Sequence, residues 1–341
     1  MVKSGLSLKL IAIISLIYLT AAQCQPTPTV EPTSQPTSQP TPLLFPPIER
    51  GDGADLIDHL LETGILRVGI RVWPEAAYAP PAFRGFSNAE TGGALNGFEV
   101  DLAHYLAAGL GLELELVEAY PPVIISGDWR GQWDIALASL VPFDQPPVQS
   151  QTTLYYSSPY GYIPMGLLIP AAENGIAGLP DLAGRRVAVV EHSSYQRLLT
   201  EGSTLTVNQQ PLLADLPTGL QVVAVSNLSK AIHQLAQLEG EEAADFDAIF
   251  GPAPVFQEAI KSELPVKLVI APDGSALQPL AVAAIAPDGL KVDRLIRAID
   301  QVLARLDRQG SLAEMYLKWY GQDFSRPTPP HSAENDQSKS N

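Results

Sequence analysis

The chain has 341 residues, with 37 Asp and Glu against 21 Lys and Arg, a formal charge of -16 and a pI near 4.6. That field repels phosphate backbones and argues against nucleic-acid binding. One cysteine, Cys24, and five scattered histidines leave no intrachain disulfide, no Cys–His zinc pattern and no HExxH pair, so neither a metal site nor a cofactor is expected.

Residues 1–24 read as an export leader. Lys3 and Lys9 precede an apolar run, Leu10–Ala22, that matches a signal core and is short for a membrane span. The run Leu19-Thr-Ala-Ala-Gln-Cys24 resembles a lipoprotein signal, although Gln23 stands where a small residue is usual. Lipidation of Cys24 is expected, with plain cleavage after Ala22 as the alternative. Residues 25–52 carry repeated Pro-Thr-Ser-Gln and are expected to be a disordered tether. Residues 323–341, polar and proline-containing, are expected to be a disordered tail.

The folded part begins with a short helix over Asp55–Glu62, stopped by Gly64. Leu66, Val68 and Ile70 alternate as a strand. Phe98–Leu110 has helical spacing, Leu112–Leu116 alternates strictly, and Asp134–Ser139 is a short apolar run. The series then restarts. Arg186–Val190 is a strand followed by a helix from Tyr195. Gln221–Val225 is a strand followed by a helix over Asn227–Leu238, and Ala248–Phe250 is another strand. Two β-α-β series predict two similar lobes, each with a mainly parallel sheet flanked by helices. A helical period from Val292 to Leu306 runs to Gly310, and Ser311-Leu-Ala-Glu314 predicts a capping box for a last helix ending near Gly321.

Four stretches, in order, carry a resemblance to the bacterial extracellular solute-binding proteins of family 3, which include periplasmic amino-acid receptors of ABC importers. They are Gly64-Ile-Leu-Arg-Val-Gly-Ile70, Gly97-Phe-Glu-Val-Asp-Leu-Ala103, Leu179-Pro-Asp-Leu-Ala-Gly-Arg-Arg-Val-Ala-Val-Val190 and Gly310-Ser-Leu-Ala-Glu-Met-Tyr-Leu-Lys-Trp-Tyr-Gly321. The resemblance implies an α/β fold of the type II periplasmic-binding-protein kind, a two-lobed clamp with two crossover hinge segments. Residues 55–161 and 279–322 would form lobe 1, residues 162–278 lobe 2, and the crossings would lie near Tyr160–Met165 and Gln278–Ala283. It implies a monomer at the cell surface or in the periplasm, anchored to the membrane by lipid. There it would bind a small polar solute, an amino acid or a related compound, and deliver it to ABC permease subunits.

In open parallel sheets the ligand sits beyond the carboxyl ends of the strands. Arg71, Trp73 and Tyr78 follow the first strand; Ser139 and Val141 follow the third; Glu191, Ser193 and Ser194 follow the first strand of lobe 2. Serines at a helix start offer hydroxyls and free amides, although one of them is expected to cap the helix. The family places an arginine for the ligand carboxylate and an aspartate for its ammonium group. The matching positions here are Pro146 and Pro252. Either Arg71 and Glu191 supply the charges from new places, or the ligand is not a zwitterionic amino acid.

No catalytic residues are expected. The alternatives on the same fold are an enzyme resembling cyclohexadienyl dehydratase, with Glu191 or Asp144 recruited as acid or base, and a ligand sensor not coupled to transport.

Overall fold

The carboxylate of Asp55 accepts the Ile57 amide and starts helix α1 (Leu56–Thr63), which Gly64 stops at φ 74°. The structure, a computed structural model, describes residues 45–72, 83–84, 94–146, 152–213, 216–237, 244–270 and 277–327. Cys24, Trp73 and Tyr78 lie outside them, as do the leader and most of the expected tether and tail.

After α1 the chain lays down β1 (Ile65–Ile70) and a ribbon of β2 (Phe83–Arg84) with β3 (Leu95–Asn96). It continues through α2 (Phe98–Leu110), β4 (Glu113–Glu118), α3 (Pro121–Ser126), β5 (Ile135–Leu140) and β6 (Leu154–Tyr156). β1 sits between β4 and β5 and is parallel to both. Then β7 (Gly161–Pro170) carries the chain into a second series.

That series is β8 (Arg186–Val190), α4 (Ser194–Glu201), a hairpin of β9 (Thr206–Val207) and β10 (Gln210–Pro211), and β11 (Gln221–Val225). It ends with α5 (Leu228–Ala236), β12 (Ala248–Pro252), α6 (Ala253–Lys261) and β13 (Val266–Ile270). β8 sits between β11 and β12 and is again parallel to both. β14 (Leu277–Ile285) returns to the first sheet, and α7 (Asp293–Gln309) and α8 (Ser311–Tyr320) close the chain.

The two lobes therefore repeat one plan, three parallel strands with the first in the middle. β14 adds antiparallel to β5, and β7 adds antiparallel to β12. Between the lobes, Gly161–Leu280 and Pro164–Leu277 are the end pairs of an antiparallel crossing ribbon formed by β7 and β14. Each lobe has its own core. In lobe 1, Leu66, Val68 and Ile70 pack with Leu102 and Leu106 of α2 and Leu295, Ile299 and Leu306 of α7. In lobe 2, alternate residues of β8 feed two faces: Val187 and Val189 go with Leu198 of α4, Ala188 and Val190 with Ile232 of α5. This is the period-two logic of a strand covered on both sides.

Four details depart from the sequence expectations. The packed chain begins before residue 52: Phe45 and Ile48 rest half-buried on the lobe-1 core, and Arg305 lies 4.9 Å over the Phe45 ring. The Gly51 amide donates to Asp58 Oδ1 at 2.7 Å, and Arg294 donates to the Glu49 carbonyl at 2.6 Å. At the other end, Phe324 and Ser325 are buried, and the Tyr162 amide donates to the Phe324 carbonyl at 2.8 Å, so packing extends past 323. The expected capping box does not form. Gly310 takes the N-cap place of α8 at φ 81° with no side-chain cap, and Ser311 is already helical. Finally, residues 141–146 follow a lobe-1 strand yet pack on lobe 2, where Val141 and Phe143 join its core.

Candidate functional site

β1 and β8 both end at the gap between the lobes, and a cleft of about 880 Å³, its open mouth included, lies there. Its walls take Arg71, Ser139 and Leu140 from lobe 1 and His192, Ser193, Ser194, Tyr195 and Pro252 from lobe 2. Ile163 and Gln278 come from the crossing ribbon. Ile124, Ile125, Leu228, Phe250 and Val255 make most of the remaining surface apolar.

On lobe 2 the site is the start of α4. Ser193 Oγ accepts the Gln196 amide at 3.2 Å and donates to the Val190 carbonyl at 2.5 Å. It is thus the helix cap and has no free hydroxyl proton. The cap satisfies only Gln196, so the amides of Ser194 and Tyr195 have no acceptor within the helix. Ser194 is half-buried and faces the cleft. His192 turns through φ 54°, with its amide given to Gln196 Oε1 at 2.8 Å. Tyr195 stands edge-on to Phe250, centroids 5.3 Å apart, and its buried hydroxyl has no partner among the described residues.

On lobe 1 the site is organised by a residue that the sequence shows only as part of the helix entry. Glu99, 1% exposed in the first turn of α2, accepts the Ser139 amide at 2.5 Å, the Ser139 hydroxyl at 3.1 Å and the Tyr160 hydroxyl at 2.8 Å. Ser139 reaches it by adopting φ 52°, an uncommon conformation for serine of the kind that collects at functional sites. Glu99 Oε2 is buried without a partner among the described residues. Burial pushes the Glu99 carboxyl up, against the opposing hydrogen bonds from Tyr160 and Ser139 and the charge of Arg71. Arg71 is half-buried at the cleft wall. Desolvation brings its guanidinium down to about 10, against the pull of the Glu99 and Glu191 carboxylates, so it remains charged at neutral pH.

The predicted residues thus separate. Arg71, Ser139, Ser193 and Ser194 meet at one cleft. Glu191 is half-buried behind it, its amide bonded to the Val225 carbonyl at 2.9 Å and its charge felt by Arg71. Val141 does not line the cleft; at 2% exposure it is a core residue of lobe 2. Asp144, considered above as an acid or base, is committed elsewhere. It accepts the Thr206 hydroxyl at 2.7 Å and the amides of Asn208 and Gln209 at 3.1 and 2.8 Å, the turn of the β9–β10 hairpin. Tyr320, assigned to packing, reaches the cleft wall from α8. Its position at the end of the helical stripe gave no sign of this. Among the described residues no cluster of three or more His, Cys, Asp or Glu could hold a metal ion, and no helix is long and apolar enough to cross a membrane.

Residues 70–322 match the family described as bacterial extracellular solute-binding proteins, family 3. A probable amino-acid ABC transporter-binding protein of Haemophilus influenzae is 24% identical over 272 residues, covering 80% of this chain and 91% of that protein. The L-cystine-binding protein TcyJ of Escherichia coli (strain K12) is 26% identical over 282 residues, covering 80% and 88%. Among solved structures, the ancestral amino acid-binding protein AncCDT-1, a precursor of cyclohexadienyl dehydratase, aligns with a TM-score of 0.56 at 22% identity, covering 78% of this chain and all (100%) of that one.

Proposed function

The chain belongs to the bacterial extracellular solute-binding proteins, family 3, and on that footing we propose that it is the receptor of an ABC importer, closing two lobes over a small solute and handing it to a permease. The observation that carries this reading is the facing of Arg71 on lobe 1 and the open first turn of α4 on lobe 2 across one cleft. Each lobe supplies one wall of that cleft, which is what a clamp requires. The relatives named for amino-acid and cystine binding support a solute of that size.

In this reading Arg71, Ser194 and Tyr195 contact the ligand, while Ser139 and Ser193 hold the walls in shape. Lobe 1 is residues 55–161 and 279–322 with the flanking residues that pack on its core, except for 141–146, which pack on lobe 2 together with 162–278. The exported chain is fixed to the membrane through lipidated Cys24, stands off on a proline-rich spacer and works as a monomer.

The test is a thermal-shift screen over amino acids, opines, polyamines and small carboxylates. A ligand at 100 times its Kd raises stability by about 2.7 kcal/mol. A hit should also contract the protein in small-angle scattering and be taken up by vesicles carrying the matching permease. Chemical change of the hit on incubation would replace the receptor reading with an enzymatic one.

A further inference from the structure

We propose that residues 141–146 form a strap that ties the tip of β5 in lobe 1 to the β9–β10 hairpin and α4 of lobe 2, and so limits how far the solute-free clamp opens. This goes beyond the receptor reading and does not depend on which solute is bound.

The crossing is abrupt. Leu140 is still a lobe-1 residue, paired with Ala281 of β14 and lining the cleft. Val141, the next residue, is buried in the core of lobe 2 with Met165, Leu167 and Val189. One Cα step of about 3.8 Å separates the two, so the passage has no slack. It also stands beside the ribbon: Leu280 is the last residue of β14 to pair with β7, and Ala281 is the one that pairs with Leu140. Three stretches of the described chain thus cross side by side at the hinge.

Beyond the crossing the strap is fastened at two places. At the hairpin it engages both backbone groups of Thr206: the Asp144 amide donates to the Thr206 carbonyl at 2.8 Å, and the Thr206 amide donates to Gln145 Oε1 at 3.0 Å. Gln145 Nε2 donates to the Thr206 hydroxyl at 2.8 Å, and that hydroxyl donates to Asp144 Oδ2 at 2.7 Å. The Asn208 and Gln209 amides complete the set on Asp144. The hairpin is itself anchored, because Leu205 just ahead of β9 is fully buried in the lobe-2 core. At α4, Arg197 lies 4.8 Å over the ring of buried Phe143 and donates to the Gln145 carbonyl at 3.4 Å. Glu201 holds that guanidinium at 2.7 and 3.0 Å. α4 is also the helix whose first turn, Ser194 and Tyr195, faces the cleft. A wall of lobe 1 and a wall of lobe 2 are therefore linked by one fastened segment. Opening the cleft past its reach would peel it off, breaking these hydrogen bonds and exposing Val141 and Phe143 together.

The test uses the full, solute-free chain carrying Cys24→Ser, with spin labels at Tyr120→Cys and Lys230→Cys. Both positions are exposed and flank the cleft, Tyr120 just before the wall residue Pro121 and Lys230 just after the wall residue Leu228. Asp144→Ala with Gln145→Ala releases the strap. The distance distribution across the mouth is expected to widen and shift to longer values in that variant. Thr206→Val removes only the hydroxyl that Asp144 and Gln145 share, and it should move the distribution the same way to a smaller extent. Distributions that superimpose with and without release overturn the proposal. Hydrogen exchange of the unsubstituted chain is an independent check. The amides of Thr206, Asn208 and Gln209, which donate to the strap, are expected to exchange at least about 100-fold more slowly than unprotected amides. Exchange at the unprotected rate means that the strap is undocked in solution and overturns the proposal whether or not the released variants fold. No solute enters either measurement, so failure here leaves the receptor reading intact.

Discussion

The Tyr160 hydroxyl donates to Glu99 Oε1 at 2.8 Å, which ties the residue just before the crossing strand β7 to the first turn of α2. The same oxygen takes the Ser139 amide, so one buried carboxylate joins the tip of β5, the helix that backs it and the start of the hinge. Burial raises the pKa of Glu99 above the ordinary glutamate value of 4.5. A raised carboxyl contributes stability that is present in full below the unfolded value and is lost as pH rises through the folded one. Glu99→Gln keeps the acceptor and removes the proton. The stability of the native protein relative to this variant should therefore stand at its full value below pH 4.5 and fall as pH rises above that; paired thermal melts at several pH values check it. A difference that grows with pH would contradict the assignment.

Arg71 should govern affinity. Among the described residues it is the charged group at the cleft wall on lobe 1, and a charge-assisted hydrogen bond is worth about 1.5–3 kcal/mol. Arg71→Ala should weaken any anionic hit roughly 10- to 100-fold in calorimetry. Arg71→Lys should recover only part, since it keeps the charge but not the planar fork.

Gly161 has no room for a side chain. A Cβ there would lie 1.6 Å from the Tyr316 hydroxyl and 2.5 Å from its ring carbon. Tyr316 is fully buried and packed against the tilted Phe98 ring, centroids 4.1 Å apart, so it has nowhere to retreat. Gly161→Ala should destabilise the fold by about 2 kcal/mol, measured by chemical denaturation. Because the clash falls in the crossing ribbon, ligand-induced closure should shift as well.

Asp144 should stabilise the contact between the lobe-1 loop and the β9–β10 hairpin. Asn208 and Gln209 turn the hairpin at φ 51° and 65°, a demanding geometry for two residues other than glycine, and Asp144 accepts both their amides. The Thr206 hydroxyl and those two amides hold its pKa below the ordinary aspartate value of 3.8. Its contribution is thus present above that value and is lost as pH falls through the lowered one. Asp144→Ala should cost about 1 kcal/mol at pH 7, discounted for solvent exposure, and less near pH 3.

A chain shortened to begin at residue 53 should lose about 2 kcal/mol, because Phe45 and Ile48 leave the core surface. A melting temperature equal to that of the longer chain would restore the tether boundary at 52.

Local patterns made the elements legible. Alternation at Leu66, Val68 and Ile70 and at Leu114 and Leu116, together with the stripe from Leu295 to Leu306, follows from the periods of strand and helix, and each feeds a core as those periods require. The repeat of the β-α-β series foretold the two lobes. What stayed hidden depends on partners far along the chain. Glu99 looked like an ordinary acidic residue in a helix entry; its role comes from Ser139, 40 residues on, and Tyr160, 61 residues on. Val141 follows a lobe-1 strand, yet Asp144 and Gln145 bond to Thr206 in the other lobe and take the segment there with them. Ser311 and Glu314 had the spacing of a capping box, but Gly310 in the left-handed conformation had already started the helix. Phe45 and Ile48 were lost in a proline-rich background whose composition outweighed two apolar residues.

Besides the segment 141–146, which leaves β5 to pack on lobe 2, the lobes are joined among the described residues by a ribbon two strands wide, with Leu277–Leu280 hydrogen-bonded to Gly161–Pro164. Such a strip folds readily out of its own plane, whereas sliding one strand along the other would break every rung. The halves can therefore rock like a book on its spine but cannot slip sideways. Any external surface that touches both covers at once would register the angle between them, and so whether a page is held inside.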